Sequence, residues 1–116
     1  GYKEGKWIYE VGDHKEIGMY KNDLQVGEWI YYYKNKQIMF KGFYENGLEI
    51  GRHNFWYENG VLKKFGYYTE GKEIGDWYYY NISGVLVLIT KFEKGLERGY
   101  NGFNFEPEHE FSDYLD

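Results

Sequence analysis

Residues 27–50, GEWIYYYKNKQIMFKGFYENGLEI, decide the fold, because the chain repeats this stretch twice more. Residues 51–74 read GRHNFWYENGVLKKFGYYTEGKEI and residues 75–98 read GDWYYYNISGVLVLITKFEKGLER, so each unit has 24 residues and begins where the last one ends. Residues 5–26, GKWIYEVGDHKEIGMYKNDLQV, form the same unit with two residues fewer, and a partial fifth copy opens at Gly99. A fixed period of this length is typical of repeat arrays.

Two columns of rings run through the units. With the first glycine of each unit counted as position 0, position 2 is Trp except in the third unit, and position 4 is always aromatic. Aromatic and polar residues alternate between Gly and Asn turn signals, which predicts strands and tight turns rather than helices. The columns are Trp7, Trp29, His53 and Trp77 at position 2, and Tyr9, Tyr31, Phe55 and Tyr79 at position 4.

The turn signals also predict the register of each hairpin. The Asn-Gly pair at residues 59–60 is a strong signal for a two-residue loop, and such a loop pairs His53 with Gly66. A two-residue loop in the second unit likewise pairs Trp29 with Gly42. The shorter first unit keeps this register because it loses one residue from each strand. We expect each ring of the Trp column to lie across the strand glycine that it faces, since the missing Cβ leaves room for it.

A second turn, at residues 44–47, returns the chain to the next unit, so each unit is two antiparallel strands. The sequence therefore predicts an all-β, single-layer antiparallel meander of about nine strands, with residues 1–105 as the repeat array. Residues 2–5 resemble the turn that closes a unit, so we expect the array to continue upstream. Pro107 should end strand pairing, and we expect residues 106–116 to form an acidic cap or tail with a short helix at 108–115.

The composition suits a thin aromatic sheet and restricts the class of partner. Aromatic residues make up 23% of the 116 residues, and rings tolerate one solvated end. The net charge is −5, and no Lys/Arg stripe is visible, which argues against nucleic-acid binding. Residues 1–105 carry equal numbers of acidic and basic residues, so the excess negative charge lies in the C-terminal tail. Such a tail would attract a partner with a basic surface, or it would keep the last strand from pairing with other molecules. The five excess acids are Glu106, Glu108, Glu110, Asp113 and Asp116.

The sequence shows no catalytic constellation. His14, His53 and His109 are far apart and lack a metal-ligand spacing, so we expect no metal and no cofactor. A structural role is favoured for His53 because it stands in the Trp column. The chain has no Cys and no phosphate-binding glycine loop followed by a helix, and we expect no enzyme activity. It also lacks an apolar run long enough to insert into a membrane as a helix.

Three short motifs resemble the variant MORN repeat of bacterial proteins. They are GEWIYY at residues 27–32, GFYENG at residues 42–47 and NGVL at residues 59–62, and the resemblance extends to about residue 105. The resemblance implies an array of antiparallel hairpins that serves as an interaction surface without catalysis. Many bacterial members resemble antitoxin or immunity proteins encoded beside secreted toxins. The chain departs from the pattern at Lys36, His53 and Thr90.

The leading functional interpretation is a protein-binding module, such as an immunity protein that occludes a toxin. The repeated columns should form the scaffold, so specificity should lie on the opposite face, where the units differ. Tyr and Trp are favoured anchors of interfaces. A second interpretation of these rings is that they pack on each other or on another copy, and the open sheet edges also allow self-association. The candidate residues are Tyr32, Trp56 and Tyr80 at position 5, with Tyr78 and Phe65.

An alternative function is a cell-surface repeat protein that binds carbohydrate or choline. Choline-binding repeats also read Gly-x-Trp-Tyr-Tyr, and aromatic boxes hold quaternary ammonium groups. Those repeats are shorter and lack the second hairpin turn. The expected compartment depends on the function. It is the cytoplasm for an immunity protein, and the cell envelope if an N-terminal signal has been removed.

Overall fold

In the described residues, nine antiparallel strands form one sheet, in which each strand pairs with the next along the chain. The computed structural model describes residues 3–93 and 95–102, so the predicted helix at 108–115, Pro107 and the acidic tail lie outside the described residues. The described part contains no helix and therefore no helix that could cross a membrane. The strands are β1 (Gly5–Val11), β2 (His14–Lys21), β3 (Leu24–Tyr32), β4 (Ile38–Glu45), β5 (Leu48–Trp56), β6 (Leu62–Thr69), β7 (Lys72–Tyr80), β8 (Leu86–Glu93) and β9 (Leu96–Gly102).

The predicted meander and its register are confirmed. Trp29 pairs with Gly42 between β3 and β4, and His53 pairs with Gly66 between β5 and β6. The shortened first hairpin keeps the same register through its two-residue loop at residues 12–13. The alternation of side chains therefore places the Trp column on one side of the sheet throughout, and we call this side the Trp face.

The prediction of a two-residue loop is wrong for the three longer hairpins. In the third unit, the amide of Tyr57 donates to the carbonyl of Val61, and the amide of Gly60 donates to the carbonyl of Tyr57, each at 2.9 Å. This geometry encloses a loop of three residues, with Gly60 at φ 89°. A one-residue bulge at Lys63 then shifts the pairing back. Because the two shifts cancel, the register survives the error in loop length.

In the first three units the second turn is a tight turn in which both central residues have positive φ. Asn46 and Gly47 have φ values of 50° and 82°, which defines a type I′ turn. The amide of Gly47 also donates to the carbonyl of Gln25 in the previous unit, at 2.9 Å. The amide of Asp23 donates in the same way to Lys3, at 3.0 Å, so Lys3 takes the place that Gln25 takes one unit later. Backbone hydrogen bonds therefore link neighbouring turns along this end of the sheet.

A continuous ladder of rings crosses the Trp face. Each ring meets its neighbour edge-on, with centroids 4.6 to 6.4 Å apart, a geometry that aromatic pairs favour. Trp29 and Trp77 are fully buried within this single layer. The ladder therefore supplies the core that a second layer would supply in a sandwich. Its members in order are Trp7, Tyr20, Trp29, Tyr44, His53, Tyr68, Trp77 and Phe92.

The direction in which the Trp rings lean differs from the prediction. Trp29 pairs with Gly42 within its hairpin, but its indole covers Gly18 of the preceding hairpin. Trp77 covers Gly66 in the same way, and a Cβ on either glycine would overlap the indole. The Trp–Gly contacts therefore join one hairpin to the next rather than closing a single hairpin.

Candidate functional site

The face opposite the Trp face, which we call the back face, exposes large apolar side chains. Cross-strand pairing brings Ile8, Met19, Phe43 and Tyr67 to this face. Their exposed fractions are 58%, 49%, 39% and 45%, respectively. The Trp face shows the contrasting pattern, since its central rings bury each other. The back face thus presents apolar surface that the fold itself does not cover.

Three of the predicted binding residues meet in one cluster on the back face. The ring of Phe65 stacks on that of Tyr78, with centroids 4.9 Å apart and planes at 9° to each other. The ring of Tyr80 also stacks on that of Phe65, with centroids 6.5 Å apart. The guanidinium carbon of Arg52 lies 4.1 Å from the centroid of Phe65. We call these four residues the back-face cluster. Parallel rings with a guanidinium over them form a rigid, amphipathic surface of the kind that anchors protein interfaces.

The structure separates the other two predicted residues from this cluster. Tyr32 lies at the end of β3, where the ammonium group of Lys15 is 5.6 Å from its ring. Trp56 lies at the end of β5 and lines a cavity that opens on the Trp face. Its carbonyl accepts a hydrogen bond of 2.6 Å from the hydroxyl of Tyr33. The five predicted residues therefore fall in three places rather than in one cluster.

Charged pairs flank the apolar residues of the back face. Lys41 lies 3.5 Å from Glu28 across β3 and β4, and Lys91 lies 3.9 Å from Asp76 across β7 and β8. All four side chains are more than two-fifths exposed, so each pair contributes little to stability. Their main effect is to alternate charge and apolar surface along the face.

A groove opens on the Trp face around His53. Its volume is about 400 Å³, within the range of pockets that hold small ligands. The sequence signal for it is the departure from Trp at position 53. The lining residues are Tyr31, Tyr33, Met39, Phe40, Tyr44, Glu49, His53, Phe55, Trp56, Lys63, Lys64 and Tyr68.

His53 takes over the hydrogen bond that the tryptophans make. The indole nitrogens of Trp29 and Trp77 donate to the carbonyls of Met19 and Tyr67, at 3.2 and 3.3 Å. The Nε2 atom of His53 lies 3.0 Å from the carbonyl of Phe43, the equivalent residue in its unit. The carbonyl of Ile50, 3.2 Å from the same atom, also favours a proton on Nε2, whereas the amide of Phe43, 3.3 Å away, favours the other tautomer. Burial lowers the pKa of His53 and outweighs the backbone hydrogen bonds, which favour the charged form.

The tyrosine hydroxyls of the groove hold their protons far above neutral pH. Burial raises the pKa of Tyr68 to about 12, and Glu73 and Glu49 add to the shift. Burial also raises the pKa of Tyr44 and Tyr31, with smaller effects of the charges nearby. At neutral pH the groove therefore offers neutral hydroxyls that donate and accept hydrogen bonds beside apolar ring faces.

The described residues contain no group of three or more His, Asp and Glu side chains that could hold a metal ion. Neither protein-family models nor curated proteins give a match to the chain. Among solved structures, it is similar to a chain of the "Glycosylation Associate Protein (Gap123) complex from Streptococcus agalactiae", with 14% identity and a TM-score of 0.46. The likeness covers 89% of this chain and 20% of that one. At this level the similarity concerns the course of the backbone and carries no functional argument.

Proposed function

We propose that the chain is a non-catalytic array of MORN-like hairpins that binds a protein partner through its back face. The back-face cluster is the observation that carries this proposal. Phe65, Tyr78 and Tyr80 hold each other in parallel, and Arg52 covers one end of the stack. Such a cluster loses little side-chain entropy on binding, because its rings are already held in place.

The extent of the sheet is sufficient for a stable interface. The molecule measures 51 × 34 × 16 Å, and a standard interface covers roughly 800 Å² on each partner. The Trp face uses its central rings to hold the hairpins together, whereas Met19, Phe43 and Tyr67 on the back face remain exposed. A partner that covered these residues and the back-face cluster would bury apolar side chains that alternate with charged pairs.

The partner that we propose is a toxin with a basic surface, which makes the chain its immunity protein. The support for this narrower proposal is the resemblance of the repeats to bacterial variant MORN proteins, together with the five excess acids near the C-terminus. Acidic charge speeds the encounter with a basic partner more than it slows dissociation. An immunity protein of this kind would act in the cytoplasm.

The proposal is tested by recovering the partner and expressing it with and without the chain. The partner is captured on the tagged protein, identified and purified, and its effect on growth is measured when it is produced alone. We expect the partner to arrest growth, and co-expression of the wild type, but not of the Tyr78→Ser variant, to restore it. Tyr9→Ser, on the Trp face, is the matched control and should still protect. A partner without toxicity would contradict the immunity function, and protection by Tyr78→Ser would contradict the proposed face.

A further inference from the structure

The groove around His53 has features that the proposed function does not use. It lies on the Trp face, whereas the back-face cluster lies on the other side of the sheet. Two pairs of rings line the groove. The rings of Phe40 and Phe55 lie 5.0 Å apart, and the ring of Tyr68 lies 4.6 Å from the imidazole of His53. The groove therefore combines apolar ring faces with the buried imidazole of His53.

The groove has opposite charges at its two ends. Glu49 pairs with Tyr44 near the start of β5, on the Trp face. Lys64 pairs with Phe55 near the end of β5, and its ammonium lies 4.7 Å from the centroid of that ring. The two ends are six residues apart along β5, or about 20 Å in an extended strand. Lys63 lines the groove at the same end as Lys64.

We propose that this groove binds an extended peptide segment of a partner protein, with a basic residue at the Glu49 end and an acidic residue at the Lys63–Lys64 end. Attraction between opposite charges determines which end of the segment lies at Glu49 and which lies at Lys63 and Lys64. The rings of the groove supply apolar contact between those ends, and the neutral hydroxyls of Tyr31, Tyr44 and Tyr68 can bond to peptide groups. A span of about 20 Å corresponds to about six extended residues.

The test uses three synthetic hexapeptides that share the centre Gly-Phe-Phe-Gly and have blocked termini. One carries Lys at one end and Glu at the other, one carries Lys at both ends, and one carries Glu at both ends. Each is titrated into the labelled full-length chain, and amide chemical shifts are followed by NMR. We expect shifts at Tyr44, His53 and Tyr68, and binding of the mixed-charge peptide about fivefold tighter than that of the other two.

Charge reversal at one end distinguishes the groove from a general apolar surface. Glu49→Lys makes both ends basic, so the peptide with Glu at both ends should become the tightest binder. Glu28→Lys makes the same charge change on the back face and should leave the ranking unaltered, and melting curves check that both variants fold. An unchanged ranking in Glu49→Lys, the absence of shifts in the groove, or equal shifts with choline chloride would overturn the proposal. Shifts at Phe65 and Tyr78 instead would also overturn it, while leaving the proposed function intact.

Discussion

The rings of His53 and Phe40 lie 5.3 Å apart, and together they occupy the space above Gly42 that one indole occupies above Gly18. A Cβ at Gly42 would lie 2.5 Å from Nδ1 of His53 and 2.6 Å from Cζ of Phe40. In the third unit the residue equivalent to Phe40 is Lys64, and the indole of Trp77 occupies the space above Gly66. His53 and Phe40 therefore act as a paired replacement for a tryptophan.

This pairing predicts strong coupling between the two positions. His53→Trp alone should destabilise the protein by about 1–3 kcal/mol, because the indole and Phe40 would compete for one space. Phe40→Lys alone should also destabilise it, since a well-packed ring is removed. The double variant reproduces the Lys64–Trp77 arrangement and should be more stable than the sum of the single changes indicates. Urea unfolding of the four proteins gives the coupling energy, and an additive result would contradict the pairing.

The glycines beneath the indoles should tolerate no side chain. Gly18→Ala and Gly66→Ala should each cost about 1–3 kcal/mol or more, because the new methyl group overlaps the ring of Trp29 or Trp77. Met19→Ala, an exposed neighbour on the back face, should change stability far less. Thermal melts measure the effect. NMR contacts between the Trp29 ring and the α-protons of Gly18 check the geometry, and contacts to Gly42 in their place would contradict it.

Two turn residues hold left-handed backbone conformations that suit glycine. Lys36 has φ 72° where the later units have Gly60 and Gly84, and Glu70 has φ 46° in the second turn of its unit. Lys36→Gly and Glu70→Gly should each stabilise the protein by up to about 1 kcal/mol, since they relieve this strain. Lys34→Gly, in the same loop without a positive φ, should give no gain. Equal stability changes for Lys36→Gly and Lys34→Gly would show that the φ value is not the cause.

The titration of His53 predicts a loss of stability in mild acid. Burial lowers its pKa in the folded state below the ordinary value of 6.5, so the unfolded chain binds the proton more readily. The stability associated with neutral His53 is present above about pH 6.5 and is lost as the pH falls toward the folded pKa. Urea unfolding between pH 5 and 7.5 should show this loss in the wild type. The His53→Trp/Phe40→Lys variant should show a flatter profile, and an equally steep one would assign the effect to other groups.

The sequence predicted the register but not the lean of the rings, and the reason is geometric. Trp29 has Gly42 beside it in one neighbouring strand and Gly18 in the other. Gly18 lies at an irregularity in the pairing of β2 with β3, between Ile17 and Met19, where a pattern of regular pairs does not determine which residue covers it. The loop length was missed for a similar reason, because a three-residue loop followed by a bulge gives the register of a two-residue loop.

The candidate sites were predictable to different degrees. Alternation along the strands was sufficient to bring Phe65, Tyr78 and Tyr80 to one face. Trp56 lies at a strand end beside a one-residue bulge, where alternation no longer determines its neighbours. The groove depends on how the surrounding rings are arranged around His53, and the sequence signals it only as an exception in the Trp column.

The most direct test of the separation between scaffold and binding surface is a joint measurement of affinity and stability. The dissociation constant for the purified partner and the melting temperature are determined for Phe65→Ser, Tyr78→Ser and the Trp-face control Tyr9→Ser. An interface anchor can contribute about 2 kcal/mol, so Phe65→Ser and Tyr78→Ser should each weaken binding about 30-fold. Their melting temperatures should fall only slightly, and Tyr9→Ser should bind like the wild type. Unchanged affinity in both back-face variants, with weakened binding in Tyr9→Ser, would contradict the account and assign the partner to the Trp face.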